Sequence, residues 1–222
     1  MALFALAISV FAADPLDAVL AQMDASAAAF KSMSANIKRI SHTAVINEDS
    51  VDSGTIKLKR SRKGARSDTR MIVDLTAPDR KTVALEGDTF QIYLPKIKTV
   101  QEYDLGKKRD LLDQFLLLGF GTPGRELSRA YDTTFAGAET VEGHKAGHLQ
   151  LIPKSPEVLK QLKKVDLWIS DDTGYPLQQK FTQPSGDYTL VTFSDLKANP
   201  NVPDSVLKLQ LPKGVKREYP QR

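Results

Sequence analysis

His144 and His148 stand four residues apart, a spacing that metal ligands use on one face of a helix. Gly143 and Gly147 flank them, and the segment reads as a turn followed by a strand. The chain has no cysteine and no third ligand lies nearby, so the two read as surface histidines and no metal is expected. Gly119-Phe120-Gly121-Thr122-Pro123-Gly124 satisfies the letters of a dinucleotide fingerprint. Such a fingerprint follows a strand and opens a helix. This one follows a helical segment and contains a proline, so nucleotide binding is not expected. Asp171 and Asp172 pair two carboxylates, as acid–base chemistry needs, but inside Ser170-Asp171-Asp172-Thr173-Gly174, where a turn itself asks for Asp and Gly. No Gly-x-Ser-x-Gly elbow occurs, and His42 has no evident nucleophile. No catalytic set assembles, and the chain reads as a non-enzyme without a cofactor.

The densest charge is Lys57, Lys59, Arg60, Arg62, Lys63, Arg66 and Arg70, in a chain of net charge +4. The cluster lies on hairpin strands without interleaved aromatics for base stacking, which argues against nucleic acid. It is either a solvated edge or a contact for anionic headgroups or an acidic partner surface.

The elements that would position these residues follow from periodicity. Asp14 caps and Pro15 opens a helix, with Leu16, Val19, Leu20, Met23, Ala27 and Phe30 at helical spacing to about Met33. Strand candidates follow at 34–46, 55–60, 66–76, 82–85, 90–94 and 97–103, with a turn at Asp52-Ser53-Gly54 and another at Glu86-Gly87-Asp88. Ile56 and Leu58 alternate with Thr55, Lys57 and Lys59; Met71, Val73 and Leu75 share one face, as do Phe90, Ile92 and Leu94. Residues 107–118 then return to the helical period with Leu111, Leu112, Phe115, Leu116 and Leu118, ended by Gly119 and Gly121. So apolar a helix either packs as core or covers a ligand cavity. Five more strands (131–135, 148–152, 165–170, 177–182 and 188–193) and a short helix capped by Ser155 come next. A Pro-rich connection and a last strand at 206–211 close the chain.

With 222 residues and 41% hydrophobic side chains, the chain is long and apolar enough for one domain with a real core. The first 13 residues carry no charged side chain, and Leu3 to Ala12 is too short for a bilayer span. This run reads as the apolar part of a secretory leader, cut after Ala12 or Ala13, or alternatively as a buried N-terminal element. It lacks a basic flank, as if the true start lay upstream. Without cysteine, export to an oxidising compartment needs no disulfides, and no lipid is attached to a processed N-terminal Cys. The expectation is a leader over residues 1–13 and one domain over 14–222, exported and not anchored.

Four stretches, in order, resemble the periplasmic outer-membrane lipoprotein carrier family, the LolA type. They are Gly54 to Arg60; Ala77-Pro78 with Val83 to Tyr93 and Pro95; Val165 to Phe181; and Tyr188 to Val215 with Phe193, Pro203 and Leu211-Pro212-Lys213-Gly214-Val215. The resemblance implies a mainly β (α+β) fold: an unclosed antiparallel β-barrel wrapped around helices that act as a lid over a hydrophobic cavity. It implies a monomeric periplasmic carrier that shields the acyl chains of lipoproteins. An inner-membrane release complex would load it and an outer-membrane acceptor would unload it. Cavity walls would come from Ile56, Leu58, Met71, Val73, Leu75, Phe90, Ile92 and Leu94. The lid would be the helix with Leu111, Leu112, Phe115, Leu116 and Leu118, running on to Phe120 and swinging on Gly119 and Gly121. The arginine at the place of Arg60 holds the family's lid shut and governs release. Here Ser61 follows where the family has proline, and Ile37 and Arg39 replace its phenylalanine and glutamine. The cargo could therefore be other lipids. A periplasmic lipid-sensing or regulatory module is the rival reading, but such modules usually carry a second domain, and this chain ends just after the closing strand.

Overall fold

The computed structural model describes residues 14–63 and 66–220, and the side chains there except those of residues 62, 63, 66, 67, 107, 110 and 111. The expected leader lies outside the described residues. Helix α1 (Pro15–Ala29) starts as expected: the Asp14 carboxylate accepts from the Leu16 N–H at 2.9 Å, and Pro15 takes the first turn, where its missing N–H costs nothing. It ends earlier than the periodicity suggests. Phe30 is already extended, and Met33 belongs to the first strand.

Among the described residues twelve strands form one sheet: β1 (Ser32–Thr43), β2 (Glu48–Lys63), β3 (Arg66–Ala77), β4 (Lys81–Glu86), β5 (Thr89–Leu94), β6 (Thr99–Asp104), β7 (Tyr131–Val141), β8 (His144–Pro153), β9 (Lys164–Ser170), β10 (Pro176–Thr182), β11 (Tyr188–Ala198) and β12 (Lys216–Glu218). Their order is β12-β6-β5-β4-β3-β2-β1-β11-β10-β9-β8-β7, so the edges are β7 and β12 and the barrel stays open. All pairings are antiparallel except β12 with β6. Helices α2 (Arg109–Leu116) and α3 (Gly124–Ala130) occupy the link between the two halves of the meander, and α4 (Pro156–Leu159) follows β8.

The expected turn at Asp52-Ser53-Gly54 is not a turn. The chain reverses at residues 44–47, and Asp52 to Gly54 continue β2. Asp52 is buried against Arg39 and Lys81, and Gly54 marks a shift of register against β3. A Cβ at Gly54 would sit 2.0 Å from the Asp74 carbonyl oxygen. The glycine is there for close backbone approach across a bulge. Gly54→Ala should therefore lower stability by about 1–3 kcal/mol, read as a lower urea midpoint, because the backbone that blocks the methyl has no rotamer to change.

The Asp52 site adds a pH prediction. Burial alone would raise its pKa, but hydrogen bonds and charge from Arg39 and Lys81 outweigh that and hold it below the ordinary aspartate value. Its stabilisation is thus present above about pH 4 and disappears as the pH falls through the lower folded value. Asp52→Asn should lose about 1–3 kcal/mol at neutral pH and flatten the acid side of a stability–pH curve. An acid limb unchanged from the parent would show that other carboxylates set it.

The C-terminal segment also departs from expectation. No strand forms at 206–211; a short 3-10 turn (Asp204–Leu207) lies there instead, and the last strand is β12. Val202 and Leu207 pack on Ile72, on the outer face of β3. Asp204 receives Lys59 at 2.6 Å and Arg70 at 3.3 Å, and these cations hold its carboxyl below the usual range. Two members of the basic cluster thus fasten the chain's own C-terminal segment across β2 and β3.

Candidate functional site

Strand register brings the expected wall residues to one face. Met33, Leu58, Met71, Leu85 and Phe90 form one transverse row; Ala35, Ile56, Val73, Val83 and Ile92 form the next. Leu75 lies one step further along β3, opposite Gly54. Leu58, Met71 and Leu75 are buried, with Ile56, Val73 and Phe90 half-buried against them in one cluster. Ile92 and Leu94 follow Phe90 on the same face of β5, half-buried and outside that cluster.

Residues from outside the sheet strands pack against this face. Phe30 at the end of α1, Leu117 and Phe120 fill the concave face, with Leu112 and Leu116 of α2 packed at its margin. Phe120 meets Phe193 edge-on at 5.2 Å, Tyr175 at 6.2 Å and Phe30 at 5.9 Å. Burial pushes the Tyr175 phenol up, and its hydroxyl donates to the Ser26 carbonyl at 3.1 Å.

The expected lid helix is shorter than its sequence pattern. Helix α2 stops at Leu116, because the Leu117 carbonyl collects the N–H groups of Phe120, Gly121 and Thr122 and rolls the chain into a tight turn. Gly119, at φ +80°, makes that turn possible. The lid residues also divide: Leu112 and Leu116 join the cluster on β1–β5, whereas Phe115 and Leu118 join a second core. That second core is built on Leu149, Leu151, Val165, Leu167 and Ile169, with Val19 and Met23 of α1. The side chain of Leu111 lies outside those described. The α2 segment is thus a wedge between two cores.

Arg60 sits two residues beyond Leu58, on the same face, where the apolar row meets solvent. Its backbone N–H donates to the Lys31 carbonyl at 2.7 Å, and Nη1 donates to the Gly121 carbonyl at 3.1 Å. The guanidinium therefore joins the strand to the turn that carries Phe120. A Cβ at Gly121 would lie 3.2 Å from that Nη1 and 3.3 Å from Phe30, so only a glycine seats this turn without displacement. Beside the contact lies a pocket of about 700 Å³, bounded by α1, β2 and α3.

Arg109, which the sequence reading did not single out, is 3% exposed. It donates to the Thr69 carbonyl of β3 and to Asp113 at 3.1 Å, anchoring the start of α2. The signal was legible as an Arg and an Asp four apart at the start of a leucine-rich segment. His148 is not a plain surface histidine. It stacks on Trp168 at 4.4 Å, between Glu139 at 2.7 Å and Asp166 at 3.2 Å. Asp171 and Asp172 lie in the turn between β9 and β10. Among the described residues no helix is long and apolar enough to cross a membrane.

The model of the outer membrane lipoprotein carrier protein LolA family matches residues 28–210. No curated protein matches the chain. Among solved structures, an uncharacterized conserved protein from Thermus thermophilus is 14% identical, with TM-score 0.52 over 92% of this chain and 96% of that one. MucB is 18% identical, with TM-score 0.51 over 90% of this chain but 64% of its own length. In the Pseudomonas aeruginosa MucA/MucB complex, the matched chain is covered over 61%. The Mycobacterium tuberculosis lipoprotein LppX is 13% identical, with TM-score 0.49 over 84% of this chain and 99% of that one. At these identities the likeness to the Thermus thermophilus protein and to MucB is one of fold.

Proposed function

We propose, from the premise that this chain belongs to the outer membrane lipoprotein carrier protein LolA family, that it is a periplasmic carrier. It would shield the acyl chains of lipoproteins, or of another lipid, and deliver them toward the outer membrane without catalysing a reaction. Residues 1–13 would be the export leader, and residues 14–222 the lipid-binding domain, acting as a monomer. Loading from an inner-membrane complex and unloading to an outer-membrane acceptor complete the proposal.

The observation that carries it is the aromatic plug on the concave face. Phe30, Leu112, Leu116, Leu117 and Phe120 cover the strand residues from elements outside the sheet. Burying Phe30, Leu117 and Phe120 is worth about 5–9 kcal/mol, and the half-buried Leu112 and Leu116 add to it. One long acyl chain, at about 0.8 kcal/mol per methylene, is worth roughly 10 kcal/mol. Plug and each acyl chain therefore compete for the same surface with energies of the same order.

Native mass spectrometry of protein purified from periplasm should show co-purified acylated species, and the purified chain should bind a fluorescent fatty acid. Protein that is both empty and unable to bind the probe would overturn the reading.

A further inference from the structure

The pocket beside Arg60 has a composition that plain acyl-chain binding does not need. Lys31 and Arg125 face it together with Asp24 and Glu126, and Phe30 forms its apolar side. None of these four charged side chains makes an ion pair or hydrogen bond among the described residues. With Arg60, which also lines the pocket and holds the Gly121 carbonyl, three cations and two carboxylates address the same space. A purely anionic ligand would leave the carboxylates repelling it, and a purely cationic one would leave Lys31 and Arg125 unused. One oxygen of Asp24 is buried and meets no hydrogen-bond donor among the described residues. Phe30 belongs both to this pocket and to the aromatic plug. A headgroup held here would point its chains at the surface that Phe30 and Phe120 cover.

We propose that this pocket receives a zwitterionic phosphoethanolamine headgroup, so that the carrier's cargo includes lipids bearing that group. The inference rests on the carrier reading above. The phosphate lies toward Lys31 and Arg125, where charge-assisted hydrogen bonds are strong. The ammonium lies toward the carboxylates of Asp24 and Glu126, to which it can donate N–H bonds. A trimethylammonium group of the same charge has no N–H to give, and a phosphoglycerol headgroup has no cation. The pocket should therefore rank the three.

The test is displacement of a bound fluorescent fatty acid from the purified chain by short-chain phosphatidylethanolamine, phosphatidylcholine and phosphatidylglycerol. One charge-assisted hydrogen bond corresponds to about tenfold or more in affinity. The ethanolamine lipid should accordingly displace the probe about tenfold better than the other two. Asp24→Asn and Arg125→Gln, each checked for folding by circular dichroism, should bring the ethanolamine-to-choline ratio toward one, and Asp24→Glu should partly restore it. Chain-free glycerophosphoethanolamine separates a lipid site from a site for the free headgroup. It should compete far more weakly than the lipid, and equal potency would overturn the lipid assignment. Equal displacement by all three lipids would overturn the headgroup proposal while leaving the carrier standing. Failure of the unmutated chain to bind the probe or any of the lipids would overturn both.

Discussion

Phe120→Ala is expected to weaken the empty protein and, at the same time, tighten its hold on a fatty acid. Phe120 is 2% exposed and touches three other aromatic rings, so its removal should cost about 3–5 kcal/mol in a urea titration without ligand. If the closed arrangement competes with cargo for the strand face, that loss falls on the closed state alone. The loaded state gains in relative population, and apparent affinity should rise by about tenfold or more. Methylenes of the ligand would also fill the vacated volume. The ligand should then raise the unfolding midpoint more in the variant than in the parent. A simple core phenylalanine predicts something different: lower stability with no gain in affinity. That second pattern would mean that the concave face is a core and not a cargo surface.

Much of this arrangement was legible before the structure because it rests on two-residue alternation. Ile56 and Leu58, then Met71, Val73 and Leu75, then Phe90 and Ile92 fall on one face because each hairpin keeps its phase. What escaped was set by partners distant in sequence. Asp52-Ser53-Gly54 has the composition of a turn, yet Arg39 and Lys81 bury Asp52 and the approach of Asp74 dictates Gly54. The run Phe115 to Phe120 looks like one continuous helix. The Leu117 carbonyl, by accepting three N–H groups, divides it into a wedge and a plug. The segment 206–211 alternates like a strand, but Lys59, Arg70 and Ile72 offer it a face to pack on and no free edge beside it. The charged pocket beside Arg60 was invisible for the same reason. Asp24, Lys31 and Arg125 come from α1, its C-terminal flank and α3, and no local pattern links them.

Arg60→Leu should leave the protein able to load but slow to release. Leucine keeps apolar contact at the rim and removes the donor to the Gly121 carbonyl. A hydrogen bond from a charged group is worth about 1.5–3 kcal/mol. Its loss disfavours the closed turn by up to that amount, which corresponds to about 10- to 100-fold in the balance between plugged and loaded states. The change should appear as slower dissociation if closure of the turn is what displaces the cargo. The measurement is stopped-flow transfer of a fluorescent acyl probe from loaded protein to acceptor vesicles, with equilibrium binding measured in parallel. Arg60→Lys is a useful third point. It keeps the charge without the guanidinium's reach and planar fork, so it should fall between parent and leucine if the bond itself biases the turn. If lysine behaved as the parent does, positive charge at the rim would suffice and the bond to Gly121 would be incidental. An unaltered transfer rate in the leucine variant would remove Arg60 from the release step altogether and leave the aromatic plug to govern release alone.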